Sequence, residues 1–225
     1  MNTKVENIFK QMKKKYEEYI KYNSIDLSKR SNGDFIEDIF GEIFLSIKEY
    51  KGYSYGASKI CFYFSGIDYI FKIPYNMNED GDYFDDDYCM LEEDNYNYSK
   101  NYNDKISDIF VKTEFIGFLD EDEICPVYIQ PFVPVRGYQA KWDYLTFNTS
   151  SQRRKAMKIR EEMGDNDLPI EFLASCIRKY GEDTTKQLYE FLMDFEINDT
   201  TWYNCGCTNQ GNPVIFDYSG YKENY

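Results

Sequence analysis

The sequence predicts an α+β protein: an antiparallel sheet with one helix, then a mainly helical part, all preceded by two helices. Three observations predict it. Apolar residues recur at intervals of three and four between residues 5 and 20 and again between 35 and 47, the spacing of one helix face. Between residues 58 and 133 the pattern changes to short runs rich in β-branched and aromatic residues, bounded by polar turns, which is strand patterning. After residue 150, helix stops such as Gly164 and Gly181 punctuate the chain, as they do where helices follow one another.

The first helix runs from Val5 to Ile20, with Val5, Ile8, Phe9, Met12, Tyr16, Tyr19 and Ile20 on one face. A second starts after Asn32-Gly33-Asp34 and carries Phe35, Ile36, Ile39, Phe40, Ile43, Phe44 and Ile47. Ser58–Phe64, the turn Ser65-Gly66-Ile67-Asp68 and Tyr69–Ile73 read as an antiparallel hairpin. An acidic segment from Glu79 to Asp87 precedes a helical stretch from about Tyr88 to Lys100. Two strands are then expected over Ile109–Leu119 and Ile124–Val133, separated by Asp120-Glu121-Asp122-Glu123. Ser151–Met163 is a basic helix ended by Gly164. Asp167 is expected to cap a helix with Pro169 in its first turn, and Asp183 to cap another. Pro213–Asp217 is a short apolar strand. The expected organisation is a helical extension over residues 1–50, a sheet-bearing lobe over 51–132 and a reduced helical lobe over 133–225.

Composition limits the chemistry. The 225 residues include 42% hydrophobic side chains, ample for one domain or a compact pair. There are 26 Lys and Arg against 40 Asp and Glu, a formal charge of −14, and no histidine. Without imidazole there is no Ser-His-Asp or Cys-His catalytic unit and no zinc site that uses histidine. The acidic balance argues against holding nucleic acid directly, because that affinity comes largely from Lys and Arg on phosphates. The 23 Tyr, 17 Phe and 2 Trp read chiefly as core filling. The start MNTKVENIFKQMKKK has no uninterrupted apolar segment and no later stretch is long enough to span a bilayer, so a cytoplasmic protein is expected. Six scattered cysteines (Cys61, Cys89, Cys125, Cys176, Cys205 and Cys207) read as reduced thiols. Cys205-Gly-Cys207 is half of a metal-site pattern, but no second pair at ligand spacing accompanies it.

Phosphoryl transfer from ATP needs a lysine on the phosphates, two metal-holding oxygen ligands and a carboxylate beside the attacking hydroxyl. None of these roles needs histidine. The chain offers them in one order: Lys72 in a strand, Glu92 on the following helix, then Asp199, Asn204 and Asp217. On these residues the sequence resembles the protein kinase superfamily, closest to small kinase-like proteins of phages and bacteria. Ile70-Phe71-Lys72 is similar to the third-strand lysine motif, and Asp199 to Asn204 has the five-residue step from catalytic Asp to metal-binding Asn. Asn204 to Asp217 has the thirteen-residue step to the second metal ligand. Val214–Gly220 looks like a variant Asp-Phe-Gly motif, and Tyr128–Val133 is similar to the hinge between the lobes.

The resemblance implies a reduced two-lobed protein-kinase-like fold with ATP and Mg²⁺ as cofactors and a protein hydroxyl as acceptor. It assigns Lys72 to the phosphates with Glu92 orienting it, Asn204 and Asp217 to Mg²⁺, and Asp199 to the hydroxyl. Gly52 and Gly56 would belong to the glycine loop, and the main chain near Gln130 and Phe132 would meet adenine. Each residue also has a plainer reading. Lys72 suits the solvent face of a half-buried strand, Glu93 and Asp94 stand beside Glu92, and Asp199, Asn204 and Asp217 suit loops or strand ends.

The departures are equally specific. Ile197-Asn198 stands where the family has His-Arg, Thr201 replaces the loop cation, and Gly52–Lys59 is not a full G-x-G-x-x-G. Eight residues follow Asp217, too few for an activation segment and a substrate platform. A second reading is therefore a pseudokinase: an acidic binding protein, of phage type, that inhibits a basic nucleic-acid-binding host or defence protein by charge mimicry. The acidic tract 79–94 suits a basic protein surface or simple solvation, and Arg153, Arg154, Lys155, Lys158 and Arg160 suit an anion or an exposed helix face.

Overall fold

The three-and-four spacing near the amino end forms α1 over Thr3–Asn23. Its Val5, Ile8, Met12 and Tyr16 are buried in one cluster with Phe44, Ile60, Phe62, Phe71, Ile73, Val127 and Ile129. The computed structural model describes residues 2–23, 42–56, 58–74, 88–121, 123, 125–136, 147–164, 168–198, 200–201 and 203–218. Most of the expected second helix and the acidic segment 79–87 lie outside these residues. Of that second helix, Ile43, Phe44 and Ile47 are buried, and Phe44–Ser46 forms a single 3₁₀ turn.

The chain divides into two compact units, Met1–Met90 with Thr113–Phe132, and Leu91–Lys112 with Val133–Tyr225. The first holds a five-stranded antiparallel sheet: β1 (Tyr50–Tyr55), β2 (Lys59–Phe64), β3 (Tyr69–Pro74), β4 (Glu114–Phe118) and β5 (Pro126–Pro131), in the order β1-β2-β3-β5-β4. The hairpin of β2 and β3 is the one expected, in the register Cys61 opposite Lys72 and Phe62 opposite Phe71. Alternation sends Ile60, Phe62, Phe64, Phe71 and Ile73 into the core beneath α1. Lys59, Cys61, Tyr63, Ile70 and Lys72 therefore lie on the other face. Gly117 sits at an irregularity in the β4–β5 register with φ +140°, and a Cβ there would come within 3.0 Å of the Phe9 ring of α1.

A helix, α2, spans Tyr88–Tyr102 between β3 and β4. A one-turn helix, α3 (Asp104–Ser107), follows, capped by Asn103, whose side chain accepts from the Lys105 amide at 2.9 Å. The expected strand Ile109–Leu119 is consequently shorter. Its last part is β4, whereas Ile109-Phe110-Val111 serves the second unit: Phe110 bridges Ile215 in parallel, and Ile109 and Phe110 join that unit's core. One apolar run is thus divided between two cores.

The second unit contains β6 (Val135–Arg136), α4 (Ser150–Met163), α5 (Ile170–Tyr180), α6 (Glu182–Asp194), β7 (Cys205–Thr208) and β8 (Pro213–Ile215), with sheet order β6-β7-β8. Thr149 and Gln152 form a capping box at the start of α4, and Gly164 ends it. Two helix starts differ from expectation. Pro169 occupies the cap position of α5 rather than its first turn, and Asp167 lies outside the described residues. Gly181 alone links α5 to α6, ending one and capping the next, so Asp183 falls in the first turn of α6. A carboxylate is favourable there too, beside the positive end of the helix dipole. Leu188, Tyr189, Phe191 and Leu192 face inward as expected. Among the described residues no helix is long and apolar enough to cross a membrane.

Candidate functional site

The predicted residues fall into two groups, one in each unit, with Asp199 outside the described residues. In the first unit, Lys72 lies on β3 between Cys61 on β2 and Tyr128 on β5. It is 2% exposed, which removes the plain reading of a lysine on a solvated strand face. Gln130, two residues along β5 from Tyr128, shares that face. Its Nε2 donates to Thr113 Oγ1 at 3.0 Å in a buried pair. The Phe132 amide donates to the Asp68 carbonyl at 2.9 Å, and its ring, half exposed, meets Tyr63 edge-on.

Gly52 lies in β1, opposite Tyr63 and beside a register shift. Gly56 lies in the turn that follows, where its amide donates to the Lys59 carbonyl at 3.1 Å. The glycine segment is thus a strand and a tight turn of the sheet. The 640 Å³ groove between α1 and the Ser65–Ile67 turn is lined by none of the predicted residues.

In the second unit the two metal-ligand candidates come together. β7 and β8 pair as a hairpin, Cys205 opposite Ile215 and Cys207 opposite Pro213. Asn204 and Asp217 stand just outside its open end. The Asn204 carbonyl accepts from the Phe216 amide at 2.9 Å and from the Asp217 amide at 3.4 Å. The thirteen-residue step is therefore the length of a short hairpin. Thr201, at the place of the loop cation, closes the preceding turn, its carbonyl accepting from the Asn204 and Cys205 amides at 3.0 and 3.2 Å.

On α2, Glu92 is fully buried whereas Glu93 and Asp94 are only partly so, and burial thereby separates Glu92 from its acidic neighbours. Asn95 and Ser99 continue the same buried polar face at helical spacing. Asn95 Nδ2 donates to the Tyr218 carbonyl at 3.0 Å. Tyr218 is wholly buried against Phe110, ring centroids 4.8 Å apart, and its hydroxyl donates to the Val111 carbonyl at 2.8 Å. Asn95 and Tyr218 were not singled out from sequence. The available signals were Asn95 three residues after Glu92 and an aromatic directly after Asp217.

All six cysteines are free thiols, five of them buried and Cys61 partly exposed. Among the described residues no group of three or more His, Cys, Asp or Glu side chains could hold a metal. Asn204 and Asp217 supply an amide oxygen and a carboxylate, hard donors that suit Mg²⁺, an ion commonly held by one or two protein carboxylates together with substrate phosphates. Compared with known proteins, the chain matches no family model and no curated relative.

Proposed function

We propose that the protein is kinase-like, binds Mg-ATP, and transfers the terminal phosphoryl group to a protein hydroxyl. The observation that carries the reading is the main-chain closure of Asn204 on Phe216 and Asp217, which makes neighbours of two residues whose side chains are of the donor types, and in the chain order, that phosphotransfer needs. A five-stranded antiparallel sheet with a buried lysine on its third strand and a helix after that strand supports the same reading. Lys72 takes the phosphates and Glu92 is its assigned carboxylate. Asn204 and Asp217 hold Mg²⁺, which neutralises charge on the phosphates. The main chain around Gln130 and Phe132 lies at the base. The acceptor oxygen attacks the terminal phosphorus, the bond to the bridging oxygen of ADP breaks, and Asp199 takes the hydroxyl proton.

Mg-ATP should raise the melting temperature, since a ligand bound only by the folded state stabilises it by roughly 2.7 kcal/mol at a hundredfold excess over Kd. Lys72→Ala and Asp217→Ala should each diminish the rise. Asp199→Ala should keep the rise and abolish transfer of labelled phosphate. No shift of the wild type at millimolar Mg-ATP would remove the nucleotide from the account.

Thr201 at the place of the loop cation favours a second reading, in which catalysis is weak and the acidic chain acts by occupying a basic protein. Its partners would then elute at high salt and would be retained equally by Asp217→Ala.

A further inference from the structure

Tyr98 and Tyr102 on α2 and Met193 near the end of α6 stand 49%, 43% and 51% exposed at one margin of the second unit's core. The two rings are held in place. Tyr98 stacks on Phe195 with centroids 5.2 Å apart and planes at 23°, Phe195 packs on the buried Phe191 at 4.5 Å, and Tyr102 meets Phe191 edge-on at 5.5 Å. The Asn103 side chain donates to Gln187 Oε1 at 2.7 Å and ties the end of α2 to α6. The tyrosines are four residues apart, so their half-exposed rings share one face of α2.

Carboxylates border these rings. Glu190 and Asp194, exposed and one turn apart on α6, lie close enough to the Tyr102 hydroxyl to add to burial in raising it above the ordinary tyrosine range. At the start of α6 Glu182 pairs with Lys155 at 3.0 Å, whereas Glu190 and Asp194 form no ion pair among the described residues. Lys100, the one cation in α2, lies over the Tyr96 ring at 4.6 Å, two positions from each exposed tyrosine and so off their face.

Aromatic faces beside carboxylates that have no counter-ion suit a guanidinium, whose plane stacks on a ring while its N–H fork pairs with a carboxylate. We propose that this face of the second unit docks an extended, arginine-bearing segment of a protein partner, with arginines at alternate positions on Tyr98 and Tyr102. Four helical residues advance about 6 Å, and two residues of extended chain about 6.4–6.8 Å. Alternate arginines therefore match the step between the tyrosines. The inference deepens the second reading, in which the chain occupies a basic protein, and rests on it for the partner; it does not need ATP.

The test is fluorescence anisotropy of two labelled peptides of equal length, one of alternating Arg and Ser and one of alternating Lys and Ser, titrated with the full chain. The arginine peptide should bind the wild type more tightly than the lysine peptide. Tyr98→Ala should weaken it about two- to fivefold, the size of one exposed cation–π contact, and Tyr98→Phe, which keeps the ring, should bind as the wild type does. Glu190→Gln with Asp194→Asn should weaken the arginine peptide at least as much. Glu121→Gln with Glu123→Gln, which removes the same charge from the first unit, should change it much less. Equal binding of the two peptides, unaltered by Tyr98→Ala, overturns the site and leaves the second reading standing on general acidity. Binding of neither peptide by the wild type overturns both. Should Tyr98→Ala fail to fold, the carboxylate variants decide: equal losses in the two double variants overturn the site, and a loss confined to Glu190→Gln with Asp194→Asn upholds it.

Discussion

Asn95 donates its side-chain amide to the carbonyl of Tyr218, and Tyr218 donates its hydroxyl to the carbonyl of Val111. Two bonds thus fix the residue directly after Asp217. Asn95→Ala would leave the Tyr218 carbonyl buried without that donor, at a cost of about 1–3 kcal/mol, measurable as a lower urea midpoint. Because Tyr218 neighbours Asp217 along the chain, the same variant should raise the Mg²⁺ concentration needed for the ATP-dependent melting shift. A variant with reduced stability and an unchanged Mg²⁺ requirement would make Asn95 a structural residue only. Lys72 and Glu92 pose the same question by burial: each is an ionisable group removed from water, a situation that ordinary surface residues do not face.

The β7–β8 hairpin is the element on which the proposed metal pair depends, and its turn is tightly fitted. Gly211 has φ +79°, and a Cβ there would lie 2.8 Å from both Arg178 Nη2 and Phe147 Cδ1. Arg178 also donates to the Gly211 carbonyl, tying the turn to α5. Gly211→Ala should destabilise the protein by about 1–3 kcal/mol and weaken Mg-ATP binding with it, whereas Asn209→Ala in the same turn, an exposed position, should do much less. Parallel melting curves of the two variants check this. The helices were legible because their apolar residues repeat over three or more turns. The hairpin was half legible: Pro213–Ile215 is continuous and apolar, but Cys205-Gly-Cys-Thr is four residues long, contains a glycine and has no alternation to declare it a strand. β1 was hidden similarly, since the glycine and exposed tyrosines of Tyr50–Tyr55 resemble a loop until pairing with β2 supplies its hydrogen bonds. The Asn204–Asp217 step was visible as a spacing; that the spacing is a hairpin required β7.

At the scale of the molecule, the second unit keeps Cys176, Cys205 and Cys207 protonated, chiefly by burial, with neighbouring thiols adding to the effect at Cys176 and Cys205. Unfolded thiols ionise near pH 8.5, while these remain neutral when folded. Their contribution is fully present below about pH 8.5 and is lost as pH rises toward the folded values. Tyr180, Tyr63 and Tyr50, likewise held up chiefly by burial, should add to the decline above about pH 10. The urea midpoint should therefore fall from about pH 8.5 upward, and Cys205→Ala should flatten the first part of that fall. Equal slopes in the two proteins would show that general repulsion within the acidic chain is responsible. The strand order has a different consequence, for synthesis. β5 lies between β3 and β4 although it is made after both. As the chain leaves the ribosome, β3 presents an unsatisfied edge and β4 has no neighbour to join until residue 131 has emerged. The sheet of the first unit is therefore completed only when β5 pairs with β3 on one side and β4 on the other, so β4 joins the sheet no earlier than the strand made after it.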